Sequence, residues 1–290
     1  MNNSEILYLY DAQLTNPNGD PDEENRPRMD YERGINLVSD LRLKRYIRDY
    51  LLDKNYELYV QSIDNKPVTA AERVQQIRDT SDENLLNSFI DIRLFGATVP
   101  ATGDSKSFIG PVQFNWGYSL NKVELLESSI TSHFASSSTN RQGAIGKDYR
   151  VKYSFIAFSG MVSGKRAEYS RLSESDLELL DEAMKKAIPL LATRSKIGQY
   201  PRFYMRVVFN DNETILDDFR NYIQLLPADE NLRSINECAL ECGRLRAYLE
   251  ARKGLIKEIR MFQSNELRML DNGVEKTASD IFSAFTNIPV

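Results

Sequence analysis

The order of segments in the chain predicts an α+β domain, and three observations carry that prediction. Short apolar or alternating runs of strand type recur between runs of helical period. Some successive strands are separated only by turn-rich chain, as in hairpins, and others by a whole helix. No segment repeats, so a solenoid or propeller is excluded. A chain of 290 residues, 41% hydrophobic, can bury a sizeable core without a disulfide or metal staple.

Residues 5–10, EILYLY, are short, apolar and aromatic, the pattern of a strand buried on both faces. From Thr15 to Asn36 the chain turns to Pro, Gly, Asn and Asp. This stretch exceeds the roughly 12–15 residues beyond which a structureless loop is uncommon, and such loops are functional or disordered. LVSDLRLKRYIRDYLLDK (37–54) has helical period: Leu43, Tyr46, Ile47, Tyr50 and Leu51 share one arc, and Lys44, Arg45 and Arg48 share another. One face packs and the other carries charge.

A further helix is expected near 81–94, opened by a capping box of Thr80 and Glu83 and striped by Leu85, Leu86, Phe89 and Ile90. PVQFNWGYSL (111–120) alternates, placing Val112, Phe114, Trp116, Tyr118 and Leu120 on one face of a half-buried strand. The Ser-, Thr- and Gly-rich stretch 128–148 reads as an excursion from the core before a second strand, YRVKYSFIAFSGMV. Ser173 and Asp176 open a helix with Leu177, Leu180, Met184, Ile188 and Leu191 in one stripe, and Pro189 ends or kinks it. YPRFYMRVVF (200–209) sets Phe203, Met205, Val207 and Phe209 against Tyr200, Arg202, Tyr204 and Arg206. The remainder, with a segment of helical period at 233–253, reads as helix, strand and a mobile tail. Hairpins and helix crossovers together suggest a ferredoxin-like or RRM-like core enlarged by insertions.

The formal charge of −5 argues at first sight against a nucleic-acid partner. That average conceals segregation. Residues 140–172 hold seven Lys and Arg against two acids, and 194–206 hold Arg194, Lys196, Arg202 and Arg206 with none. Acid collects at Asp20, Asp22, Glu23 and Glu24, and again at Glu174, Asp176, Glu178, Asp181 and Glu182, where it suits a helix N-terminus. Basic stretches containing Gly, Ser, Asn and aromatic residues suit a single-stranded nucleic-acid groove, with cations for phosphates and rings for bases. The plainer reading is a solvated basic surface paired with acidic neighbours.

Other chemistries lack their residues. One histidine, His133, cannot supply a typical zinc or di-iron site, and Cys238 and Cys242 read as reduced thiols, so no metal or cofactor is expected. GAIG (143–146) lacks the flanking helices of a KH clamp, and GMVSGK (160–165) is one residue short of a P-loop. The Asn16 to Glu24 alternation has Pro27 where a calcium loop needs glutamate. The first residues lack a signal-peptide pattern and FIAFSGMV (155–162) is too short to span a bilayer, so a cytoplasmic location without membrane contact is expected.

Taken together, NPNGDPDEENRPRMD (16–30), NLVSDLRLKRYIRDYL (36–51), DIRLFGATVP with FIGPVQFNWGYSLNKVE (91–124), KDYRVKYSFIAFSGMVS (147–163) and LATRSKIGQYPRFYMRVVF (191–209) resemble the backbone subunit of type I CRISPR Cascade complexes. The likeness is to subtype I-B, in the RAMP superfamily, and runs in order through about the first 210 residues. It implies an enlarged RRM-like palm, with a finger-like insertion at approximately 56–110 and a thumb-like β-hairpin at approximately 128–148. It also implies copies that assemble head to tail in a helical filament along crRNA. The implied partners are crRNA, target DNA through guide pairing, other copies of the chain, a repeat-RNA endonuclease, a PAM-recognising large subunit, a capping subunit and a recruited helicase-nuclease. Carried over residue by residue, Ser39, Lys44, Arg45 and Arg48 match the RNA-contacting helix. Gln113 and Asn115 lie in the GPVQ strand region, Arg194 and Lys196 in TRSK, and Arg141 and Lys147 in the thumb. Related type III subunits cut target RNA with a loop aspartate, for which Asp20, Asp22 and Asp30 are the candidates here; the type I likeness implies no catalysis.

Overall fold

The computed structural model describes residues 1–63, 66, 68–101, 104–135, 143–227 and 232–290. Its main elements in chain order are β1 (Ser4–Thr15), β2 (Ile35–Val38), α1 (Asp40–Asp53), β3 (Val112–Phe114), β4 (Gly117–Ser119), β5 (Leu125–Ala135), β6 (Gly143–Val162), α2 (Glu174–Leu190), β7 (Gln199–Phe209), β8 (Ile256–Gln263) and β9 (Asn287–Pro289). They form a mixed α+β fold around one large sheet ordered β9-β8-β7-β1-β6-β4-β2, with the short strand Met29–Asp30 beyond β2. β3 and β5 also pair with β6. The buried run EILYLY lies in the middle: β1 is antiparallel to both neighbours, Tyr8 facing Phe158 on one side and Tyr204 on the other.

Because side chains alternate along a strand, β1 feeds two cores. Ile6, Tyr8 and Tyr10 point to one face, where Leu43, Tyr46, Ile47 and Tyr50 of α1 and Leu177, Leu180, Met184 and Ile188 of α2 cover them. Leu7 and Leu9 point to the other, with Phe155, Phe203, Met205 and Val207, under Leu240, Leu245, Leu249 and Phe282 of the C-terminal segment. That segment builds a smaller sheet from Gln224–Leu226, Ala239–Glu241, Met269–Asp271 and Val274–Glu275, with a helix at Gly243–Glu250. The expected mobile tail is instead β9, paired parallel with β8, and the Lys185 ammonium donates to the Val290 carbonyl at 2.7 Å.

Several expected boundaries move for local reasons. The helix near 81–94 is two helices, Asp82–Ser88 and Ile90–Phe95, parted by Phe89 in extended conformation (φ −110°, ψ 104°). Its cap is Ser81, whose hydroxyl accepts the Asn84 amide, rather than Thr80. The strand at 111–120 breaks at Asn115–Trp116, so Phe114 joins the first core while Leu120 packs against the second. Gly117 is required at that crossing, since a Cβ there would stand 2.4 Å from the Phe158 ring. In β7 the register shifts at Arg202: Leu9 faces Phe203 but Tyr10 faces Pro201. This bulge takes Arg202 out of the simple alternation. The 233–253 segment divides into a 3₁₀ turn (Ile235–Glu237), the strand Ala239–Glu241 and a helix that begins only at Gly243. Cys238 and Cys242, outside that helix, are free and buried, and burial raises both thiols.

Two excursions leave the main body. Residues between α1 and β3 carry three short helices and the hairpin Gly96–Ala101/Asp104–Ile109 over a small core of Tyr59, Leu85, Leu86, Phe89, Ile92 and Val99. β5 and β6 form a long hairpin, Leu125 opposite Val151 through Thr131 opposite Ile145.

Candidate nucleic-acid interface

The long Asn- and Pro-rich segment after β1 is ordered by two short ladders, Gly19–Asp20 with Arg26–Pro27, which encloses a 3₁₀ turn at Pro21–Glu23, and Met29–Asp30 with β2. Its beginning bridges two other elements. The Asn18 side-chain oxygen accepts both the amide and the hydroxyl of Ser39 at 2.9 Å, and the Ser39 hydroxyl in turn caps α1 by accepting from the Arg42 amide. On the other side, the Asn16 amide and the Thr15 hydroxyl donate to the Ser195 carbonyl, which fixes the TRSK turn against the end of β1. The loop thus brings the start of α1 and the turn before β7 to one end of the sheet.

Two cations meet there, neither in an ion pair among the described residues, with Asp49 acting on Arg42 alone. The Lys196 ammonium donates to the Asn16 carbonyl at 2.5 Å and to the Pro17 carbonyl at 3.3 Å, and makes no ion pair among the described residues. Burial, and after it the nearby Arg42 guanidinium, push its pKa down to about 7. The Arg42 guanidinium lies 4.3 Å over the Tyr46 ring, with its buried Nε and Nη2 unbonded, and the Asn16 side-chain oxygen is likewise buried without a donor. Tyr46 donates to Gln199, whose amide donates back to the Lys196 carbonyl, so the floor of this nest is fixed. Unsatisfied buried donors beside an unneutralised ammonium are costly unless an anion completes them.

The same turn carries the next cation. Arg194 pairs with Asp148 at 2.9 Å, and Arg150 takes the same carboxylate at 2.8 Å while donating to the carbonyls of Leu14 and Arg194. Burial would raise Asp148, but its two arginines hold it below the usual carboxylate range. One acid serves two guanidiniums, and Arg194 stays more than half exposed, so the positive surface continues from the nest.

The residues expected to contact RNA separate into groups. Ser39, Arg194 and Lys196 come together around the nest. Lys44 and Arg48 do not face solvent: Lys44 turns toward β3 and Arg48 toward the excursion between α1 and β3. Lys44 is buried between Asp40 at 3.2 Å and the Gln113 side-chain oxygen at 2.9 Å, and Gln113 is thereby a positioning partner within the fold. Arg48 is buried on Asp91 at 3.0 Å, whose carboxylate also accepts the amides of Tyr59 and Val60. Only Arg45 of that arc is exposed, and it pairs with Asp49. Asn115 is exposed at the strand break, where it caps the Trp116 amide. Lys147 lies on the opposite face of β6 from Asp148, beside Glu24 and Glu127. Arg141 lies outside the described residues. Of the basic run 194–206, Arg202 and Arg206 are buried on Asp11 and Asp181 and offer no groove. Arg42 is the residue that sequence reading passed over; its signal is the four-residue spacing from Tyr46, which puts it beside the packing arc.

The loop carboxylates are engaged separately. Asp20 pairs with Arg28 at 2.6 Å and caps the 3₁₀ turn, Asp30 accepts the Arg33 amide, and Asp22 is exposed. Among the described residues no three His, Cys, Asp or Glu converge as a metal site, and no helix is long and apolar enough to cross a membrane.

Residues 2–242 match the family model described as CRISPR-associated protein Cas7. A CRISPR-associated protein Cas7 of Haloferax volcanii is 33% identical over 315 aligned positions, covering 97% of this chain and 92% of the relative. Among solved structures, a chain of a CRISPR RNA-guided surveillance complex in a pre-nicking state has TM-score 0.54 at 14% identity, covering 97% of this chain and 98% of that one. A chain of another CRISPR RNA-guided surveillance complex has TM-score 0.55 at 13% identity, covering 99% and 94%. These two likenesses are of fold.

Proposed function

This chain belongs to the CRISPR-associated Cas7 family, and from that premise we propose that it is the crRNA-binding backbone subunit of a type I Cascade surveillance complex of subtype I-B kind. Copies polymerise along the guide and present it for pairing with foreign DNA, with the other Cascade subunits at the ends of the filament and a helicase-nuclease recruited to the complex. Its role is binding rather than catalysis. The observation that carries the reading is the nest at the start of a capped helix, where Lys196, in no ion pair among the described residues, meets Arg42, whose buried Nε and Nη2 lack acceptors. RNA phosphates supply the missing charge, and Arg194, Arg150 and Arg45 extend the positive track.

The order β1, α1, β3/β4, β6, α2, β7, with β7-β1-β6-β4 side by side, supports the RRM-like palm. The finger is the excursion at approximately 56–110, and the thumb is the β5/β6 hairpin at approximately 128–148. The face that an RRM gives to RNA is covered here by the C-terminal segment, so the guide runs along the end of the sheet. Replacing Arg42 and Lys196 together by Gln lowers crRNA recovered with the purified complex by about tenfold or more, since charge-assisted contacts are lost, while thermal unfolding stays cooperative. Undiminished crRNA in a folded double variant would rule this reading out.

A further inference from the structure

We propose that guide capture takes up one proton: a phosphate seated between Arg42 and Lys196 keeps the Lys196 amine charged, so binding weakens as the medium turns alkaline. This rests on the RNA-binding reading above and adds the regulation of that site.

The surroundings of Lys196 are unusually one-sided. From its own turn it meets Gln199, bonded to its carbonyl, with Arg194 two residues away. From α1 it meets Arg42 and the Tyr46 that carries it. From the loop after β1 come the carbonyls of Asn16 and Pro17, while Tyr10 of β1, whose buried hydroxyl is unbonded, lies near Arg42. The carboxylates in reach are spent elsewhere, Asp148 on Arg150 and Arg194, and Asp49 on Arg45. Asp49 also acts on Arg42, but no carboxylate among the described residues pairs with Lys196 itself, and both burial and Arg42 favour the neutral amine. A phosphodiester anion reverses the second effect and offsets the first. The proton moves from solvent to Nζ, and no covalent bond changes.

The test uses the full-length chain and a short single-stranded RNA carrying a pH-insensitive rhodamine label, titrated by anisotropy at fixed ionic strength from about pH 6.5 to about pH 8.5. Kd is expected to rise by about five- to tenfold per pH unit above neutrality, and K196R, whose guanidinium does not titrate, to bind with a flat profile. Glu5 titrates over the same range but remains in K196R, so the difference between the two profiles belongs to Lys196. Calorimetry of the unaltered chain in two buffers of different ionisation enthalpy counts the protons directly and does not depend on the variant folding. Tight binding that ignores pH, equal slopes in both proteins, or no proton uptake would each overturn the coupling alone. Absence of RNA binding at every pH would remove the functional reading with it.

Discussion

Glu5 shows how a single residue can set a pH response of the fold itself. It is 8% exposed at the start of β1, in a cleft with Asp217 and Asp218, and its carboxylate accepts the Leu216 amide. Burial raises its pKa to about 7, the Leu216 amide opposing and the two aspartates adding to the rise. The unfolded chain therefore gives up this proton first. The stability it contributes is complete below the ordinary value of 4.5 and is lost as pH rises through about 7. Glu5→Gln, which keeps an oxygen for Leu216, is expected to be more stable than wild type at pH 8 by about 2 kcal/mol and not at low pH. Urea unfolding at both pH values checks this, and equal differences at the two would refute it. Chemistry at this scale was only partly legible in the sequence. Lys196 and Arg194 stand out as cations in the TRSK segment, but Arg42 and Lys44 differ by two positions on one helix, and only packing tells the cation with unbonded donors from the one paired with Asp40.

At the scale of elements, α1 is the hub. Its N-terminus is read by Asn18, its inner arc by the sheet, and its charged arc by Asp91 of the short helix Ile90–Phe95. Asp91 satisfies the Arg48 guanidinium and two amides from the chain that enters the excursion, so one carboxylate fixes the angle at which that unit leaves the body. Asp91→Ala leaves a buried cation unpaired, and is expected to cost about 3–5 kcal/mol, with cleavage by a low protease dose concentrated between α1 and β3. Cleavage spread evenly over the chain would argue against this hinge. Helix existence was legible wherever a cap preceded an apolar stripe, as at Ser39 and Ser173. The breaks at Asn115 and Arg202 were not, because each comes with a ring or an ion pair contributed by a distant segment.

Across the whole molecule, the sequence announced one central strand with no polar side but not what covers both of its faces. The covering of the second face falls to residues after 218, where the sequence suggested helix, strand and a mobile tail, because strands of three residues are too short to show alternation. Phe282 is fully buried in that cover. Phe282→Ala is expected to lose about 3–5 kcal/mol of stability while RNA affinity per folded molecule is unchanged, since the nest lies at the α1 end of the other core. A loss of affinity beyond the folded fraction would place the RNA on the wrong face.

The main sheet ends in a two-residue strand, Met29–Asp30, on one side and in a three-residue strand closed by Pro289 on the other. Neither of these two margins offers a long row of free amides and carbonyls to a neighbour, and the long edge of the sheet is β5, on the β5/β6 hairpin. At the two margins copies of this chain are therefore not invited to fuse their sheets into a self-propagating ribbon. A filament built from them needs a ruler from outside, and the length of the bound strand is the quantity that such a ruler would measure.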